Sequence, residues 1–260
     1  MCLKVSRAGG SNLLPVYVAA VLWLVPTARA ALVYSNNFNG PLGTIYPEWS
    51  SSAIAFTTSL SPPGSGTLPA PVVSNTVSPN QAQRFLGLFG GPPIGAPGDR
   101  GWNQTRVEQT ISLSLTNLPA HTALRLSFDL YVIRSWDGNS PDYGPDRFIL
   151  RVADGPTLLN TTFSNNPKTN SDASYQDFPA PNSLPWTAAL AKGTLGYDWF
   201  FQDAIYRLQY EFAHTNANVA INFSSSLHEG KGTDDEAWGL DNVVVSIAPT
   251  YRDHGLKQRP

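Results

Sequence analysis

Cysteine is almost missing from this chain. Its one copy, Cys2, stands at the extreme N-terminus of 260 residues. The rest of the chain therefore has no disulfide, no thiol nucleophile and no cysteine ligand for zinc. A chain of this length buries enough core to fold without covalent staples. Positive charge is also scarce: 17 Lys and Arg face 19 Asp and Glu, and no basic run interrupts the sequence. That excludes the electrostatic footprint of a nucleic-acid or anionic-membrane binder.

Long apolar runs are absent but for one. "LLPVYVAAVLWLVP" (Leu13–Pro26) follows Lys4 and Arg7 and precedes the small-residue step Ala28-Arg29-Ala30. The run is shorter than the roughly 20 residues a spanning helix needs. The three-part pattern is that of a secretory signal cut after Ala30. The expected organisation is a signal peptide over 1–30, one domain over 31–248 and a flexible polar tail over 249–260. Removing the leader lowers the basic count from 17 to 14 against 19 acids, a net charge of −5. The exported chain is expected to be a monomer with no membrane anchor, of a bacterial type.

Helical periodicity is missing too, apart from room for a short helix or turn near 199–204. The dominant pattern has period two. Leu124, Leu126, Phe128, Leu130 and Val132 share one face of "TALRLSFDLYVI", and Tyr206, Leu208, Tyr210 and Phe212 share one face of "IYRLQYEFAH". "TISLSL", "RFILRV" and "VAINFS" repeat the alternation with Ile111, Leu113 and Leu115, with Phe148, Leu150 and Val152, and with Val219, Ile221 and Phe223. Each reads as a half-buried strand. The linkers between them are rich in Pro, Gly, Ser and Asn, as in "SLSPPGSGTLPAP" and "FGGPPIGAPGDRG". The expected fold is all-β, a two-sheet antiparallel jelly-roll sandwich of the concanavalin-like or galactose-binding-like kind.

Several catalytic signatures are absent. "HEGKG" places Gly232 where a second zinc-binding histidine would stand, and there is no G-x-S-x-G elbow. No Glu-x-Asp-x-x-Glu run of the jelly-roll glucanase kind occurs. The remaining enzymatic option is a groove across a polar sheet face, which would collect Asp129, Glu211, Arg125 and Arg151. A solvated sheet face produces the same pattern.

Acidic residues are grouped where strands should meet. "SWDGNSPDYGPDRF" carries Asp137, Asn139, Asp142 and Asp146 in one loop, and "DDEAWGLD" adds Asp234, Asp235, Glu236 and Asp241. Calcium takes six to eight hard oxygen ligands, and such a loop can supply several. Asp137, Asn139, Asp142, Asp146, Asp235, Glu236 and Asp241 are the candidate ligands of a structural calcium. The spacing is not that of an EF-hand, because Pro141 occupies the third ligand position. Asp241 alternates in phase with Val243, Val245 and Ile247, which places a carboxylate on the core face of its strand. Its candidate partners are backbone N–H groups of a nearby turn or the cation.

Aromatic residues near loops form the other candidate site. Trp136, Tyr143, Trp186 and Trp199 are the expected glycan contacts, with Tyr197 and Phe200 beside them, because aromatic faces stack on the apolar faces of pyranose rings. Packing over the sandwich ends is the competing role for each.

The stretches "NNFNG" (Asn36–Gly40), "LRLSFDLYV" (Leu124–Val132) and "WGLDNVVV" (Trp238–Val245) resemble jelly-roll modules that include MAM domains and the carbohydrate-binding modules of bacterial polysaccharide-degrading enzymes. "SWDGN…GPDRF", "GPTLLNTTFSN" and "DEAWGLDNV" are similar to segments of secreted bacterial proteins. The resemblance follows the order of features over nearly the whole exported chain. It implies a non-catalytic module for polysaccharide or cell-surface glycan. The alternatives are a carbohydrate-active hydrolase or lyase using the concave sheet face, and a structural envelope or matrix protein. The missing cysteines set the chain apart from MAM domains, so their adhesive role is not implied.

Overall fold

Alternating sequence becomes alternating burial. The computed structural model describes residues 30–52, 73, 75–90, 107–167, 174–197, 201–228 and 232–248. The expected leader up to residue 29, the tail 249–260, Trp199, Phe200 and most of the two proline-rich linkers quoted above lie outside the described residues.

Among the described residues twelve strands follow in order: β1 (Ala31–Asn36), β2 (Trp49–Ser52), β3 (Asn75–Val77), β4 (Arg84–Phe89), β5 (Val107–Leu115), β6 (Ala123–Arg134), β7 (Arg147–Val152), β8 (Thr157–Thr162), β9 (Ala191–Lys192), β10 (Ala204–Ala213), β11 (Val219–Leu227) and β12 (Glu236–Ile247). A single 3₁₀ turn at Gly232–Asp234 precedes β12, and no α-helix occurs among the described residues. No helix there is long and apolar enough to cross a membrane. Where the sequence left room for a helix, the chain reaches Ala204 without one among the described residues.

The strands form two antiparallel sheets, and the fold is a jelly-roll sandwich. One sheet runs β3-β4-β12-β6-β10-β9, with β1 also pairing on β12; the other runs β2-β5-β11-β7-β8. The last strand thus lies inside the larger sheet, between β6 on one side and β4 and β1 on the other. The period-two residues meet between the sheets. Phe128 of β6 packs edge-on against Phe223 of β11 at 5.2 Å, and Trp238 of β12 against Phe148 of β7 at 5.3 Å. Such pairs add about 0.5–1.5 kcal/mol beyond the area they bury. The apolar faces expected for β5, β6, β7, β10 and β11 all contribute to this core.

One expectation about β12 is overturned. Asp241 does not face the core. The register with β6 shifts between Asp241 and Val244, which inserts an extra residue, and Asn242 there takes a φ of 49°. A bulge of this kind flips the side-chain parity beyond it. Before it, Trp238 and Leu240 face the core; after it, Val243 and Val245 do. Asp241 projects from the opposite face. There it accepts the Tyr131 hydroxyl at 2.8 Å and the Asn242 backbone N–H at 2.7 Å. Burial pushes its carboxyl up to about 6, opposed by those two hydrogen bonds. Of its two candidate partners, the local backbone supplies one hydrogen bond here, and a tyrosine adds another.

That outer face of the larger sheet carries a second, smaller apolar cluster. Phe85, Tyr131, Ile133, Ile205 and Ala237 are covered there by Leu195 and the half-buried Tyr197. The covering loop is pinned by Asp203, a fully buried carboxylate that accepts the backbone N–H groups of Thr194, Leu195 and Tyr197.

Candidate functional site

The junction between the end of β6 and the start of β12 gathers most of the chemistry. Ser135 donates its backbone N–H to the Asp235 carbonyl at 3.0 Å, and its hydroxyl lies 2.8 Å from Asp235 Oδ1. The Trp136 indole N–H reaches the Ala237 carbonyl at 2.9 Å. These bonds lock residues 135–136 to residues 235–237.

Three of the seven expected calcium ligands meet on the inner side of this junction. Asp137, Asp146 and Glu236 are all buried, and each offers a carboxylate oxygen within 4.8 Å of the others. Asp146 comes from the far end of the loop that begins at Asp137, and Glu236 opens β12. The loop closes because Gly138 takes a φ of 59°; a Cβ there would sit 2.2 Å from the Tyr175 carbonyl oxygen. Asp146 accepts backbone N–H groups from Asp137 and His228, the latter at 2.9 Å. Asp137 accepts the Asn166 amide at 2.6 Å.

Burial, with the neighbouring Asp137 charge adding to it, pushes the Asp146 carboxyl up to about 8. Burial and then the Asp146 charge push Glu236 well above the usual carboxylate range. Glu236 Oε1 is buried with no hydrogen-bond partner. Carboxyl groups this close relieve their repulsion by sharing protons or by taking up a cation.

The other four expected ligands lie elsewhere. Asn139 is used up in holding the loop, giving its amide to Asp177 at 2.7 Å and accepting the Thr162 hydroxyl at 2.7 Å. Asp142 is exposed on the loop. Asp235 turns to Ser135, and Asp241 belongs to the outer sheet face with Tyr131. The bulge and these side-chain pairings separate what the sequence spacing had grouped.

On the outer side of the same junction is an open groove of 350 Å³. Its lining includes Arg134, Ser135, Tyr197, Phe201, Asp234 and Asp235, together with Pro79 and Gly196. Arg134 has a φ of 68° where β6 ends, and its guanidinium meets Asp234 at 3.4 Å. Tyr197 packs edge-on against Phe85 at 6.4 Å, and burial pushes its phenol up to about 12, so the hydroxyl keeps its proton at neutral pH.

The expected aromatic contacts divide. Trp136 is fully buried and belongs to the core, contrary to its expected place on a ligand platform. Its only polar atom is satisfied by Ala237, which suits an inward tryptophan. Tyr143 is 45% exposed on the acid-rich loop. Trp186 is half-buried, with the Lys192 ammonium 4.7 Å from its ring centroid and its indole N–H on the Gln202 carbonyl. Trp199 lies outside the described residues. Arg134, Ser135 and Phe201 were not singled out in the sequence. "VIRSWD" reads as the end of a strand, and nothing in it announces a groove.

No family model matches the chain, and no curated protein matches it. Solved structures similar to it include a family-61 carbohydrate-binding module in complex with β-1,4-galactotriose, with a TM-score of 0.36, 11% identity, and coverage of 81% of this chain and 97% of that one. Another is the C-terminal family-6 carbohydrate-binding module of the laminarinase LamC from Zobellia galactanivorans, with a TM-score of 0.30, 10% identity, and coverage of 67% of this chain and 87% of that one. A third is an exo-β-1,3-galactanase from Phanerochaete chrysosporium with β-1,3-galactotriose, with a TM-score of 0.24 and 13% identity, where the match covers 67% of this chain and 30% of that enzyme.

Proposed function

We propose that the protein is an exported, non-catalytic binding module for a neutral glycan, with a structural calcium at the Asp137–Asp146–Glu236 cluster. The observation that carries the glycan reading is the groove at the β6–β12 junction. It sets the rings of Tyr197 and Phe201 beside Arg134, Asp234 and Asp235 in one open space of 350 Å³. That size lies within the range of small-ligand sites, about 300–1,000 Å³. An aromatic face covers the apolar side of a pyranose, while carboxylates and a guanidinium address vicinal hydroxyls. Among the described lining residues two carboxylates stand against one guanidinium, a balance that disfavours uronates and sulfated sugars.

A hydrolase needs two carboxyl groups facing each other across the scissile bond. On the polar sheet face, Glu211 is paired with Arg125 at 2.8 Å and Asp129 with Arg207 at 2.8 Å. Arg151 stands on β7 in the other sheet, apart from that set. These pairings support binding over cleavage. Export supplies the setting, with the leader removed after Ala30.

The test is affinity electrophoresis of the exported chain through gels containing neutral polysaccharides, β-1,4-galactan and β-1,3-galactan among them, with polygalacturonate as the acidic control. At least one neutral polymer retards the protein, and polygalacturonate does not. Tyr197→Ala weakens that retardation about tenfold, as expected for a buried aromatic anchor. Chromatography of the polymer afterwards shows no shortened products. Free migration through every neutral polymer, or retardation indifferent to Tyr197→Ala and Arg134→Ala, would remove the basis for this reading.

A further inference from the structure

The groove and the carboxylate cluster share two segments, 134–137 and 234–236, whose neighbouring residues serve one and then the other. Arg134 and Ser135 line the groove, while Asp137 belongs to the cluster. Asp234 and Asp235 line the groove, while Glu236 belongs to the cluster. The segments are joined by the Ser135 N–H at 3.0 Å from the Asp235 carbonyl, by the Ser135 hydroxyl and by the Trp136 indole. A displacement of Asp137 from Glu236 is therefore carried through these bonds into the groove wall.

Two observations together point to a ligand at the cluster. Three carboxylates, two from the ends of one loop and one from the start of β12, converge within 4.8 Å, all buried. Separately, Glu236 is 3% exposed and its Oε1 has no hydrogen-bond partner. A buried carboxylate oxygen left unpaired is costly, and a cation is one of the few groups that satisfies it alongside two further carboxylates. The donor set is all oxygen and anionic, which suits a hard divalent cation of the calcium kind and not a soft metal.

We infer that a divalent cation held by Asp137, Asp146 and Glu236 sets the shape of the adjoining groove, so that glycan binding depends on the cation without the sugar touching it. This rests on the groove being the glycan site. With the cation bound, the acid-rich loop is drawn to the start of β12, and Ser135 and Asp235 keep the wall in place. Without it, only shared protons link the three carboxyl groups in place of metal–oxygen bonds, so the Asp137–Glu236 approach loosens, and the wall loosens with it.

Terbium(III), a calcium mimic, tests the site without reference to glycan, because tryptophan sensitises its emission and Trp136 is the chain neighbour of Asp137. Sensitised emission is expected from the wild-type chain, displaced by calcium, lost in Glu236→Gln and retained in Asp142→Asn. Amide hydrogen exchange then reads the coupling directly: the Ser135 N–H exchanges more slowly in calcium than in chelator. Finally, affinity for the retarding neutral glycan falls about tenfold in chelator, within the usual range of coupling between sites.

Absence of both terbium emission and calcium binding in the wild type overturns the cation site. Cation binding with unchanged Ser135 exchange, or with equal glycan affinity in calcium and chelator, overturns the coupling. Cation binding and Ser135 protection with no glycan retained under any condition overturns the glycan reading and leaves the cation site and its grip on the wall standing. Calcium and chelator titrations of the wild type keep the test open should Glu236→Gln fail to fold.

Discussion

Asp241 shows how one residue's position is settled by its immediate neighbours. In the folded chain its carboxyl is raised to about 6 by burial, held back from rising further by Tyr131 and the Asn242 N–H. A folded-state value above the unfolded one means that the native protein binds the proton more tightly. The stability this group contributes is therefore full below about pH 4 and is lost as pH rises through about 6. Asp241→Asn removes that dependence. Plotted against pH, the melting temperature of the wild type should fall relative to the variant between about pH 4 and pH 6.5, then run parallel to it. Parallel curves across the whole range would show that Asp241 keeps an ordinary carboxylate value in the fold.

At the scale of an element, the loop from Gly193 to Asp203 decides whether the groove has a wall. It is tied down at Asp203, whose two oxygens receive the N–H groups of Thr194, Leu195 and Tyr197. It is tied again to the β3–β4 turn, where the Asn80 side chain donates to the Thr194 carbonyl and Gly196 sits against the Asn80 backbone. Asp203→Ala strands buried N–H groups, each worth about 1–3 kcal/mol when left unpaired. The expected outcome is a lower melting temperature together with weaker glycan retardation, because Tyr197 loses its fixed place over Phe85. Asp154→Ala, away from this loop, is the control that should change neither. A normal melting temperature and normal retardation in Asp203→Ala would show that the loop is held by its apolar contacts alone.

For the whole molecule, the order of strands matters more than any single contact. β12 is the last strand among the described residues, yet it sits inside the larger sheet with β6 on one side and β4 and β1 on the other. It also supplies Trp238, Leu240, Val243 and Val245 to the core. Pairing of this kind is non-local, so the sheet cannot close until β12 is available. A chain ending at Asp235 should show no cooperative thermal transition and no dispersed amide spectrum. A truncated chain that still melted cooperatively would mean that β4 and β6 close on each other without β12. The proposed leader is checked by mass spectrometry of the secreted protein, which should find Ala31 at the N-terminus; retention of residues 1–30 would contradict it.

By itself, the sequence determined the class of fold and the inner face of most strands. Alternation with period two is a local property, and burial between two sheets selects the apolar phase wherever a strand runs unbroken, as in β6 and β10. It also put Asp137 and Asp146 at the two ends of one Gly- and Pro-rich loop that can curl, while the meeting of that loop with Glu236 depends on strand order. Only the tertiary structure decided the rest. One extra residue at Asn242 reverses the phase of β12 and turns Asp241 away from the core, and a bulge leaves no clear mark in an alternating pattern. Trp136 reads as a loop aromatic but is buried, because residues 135–136 are stitched to 235–237 from the far end of the chain. The groove is further from view still: its walls come from residues near 79, 134, 197, 201 and 234. Those segments are brought together by strand order, and no periodicity within any one of them encodes that meeting.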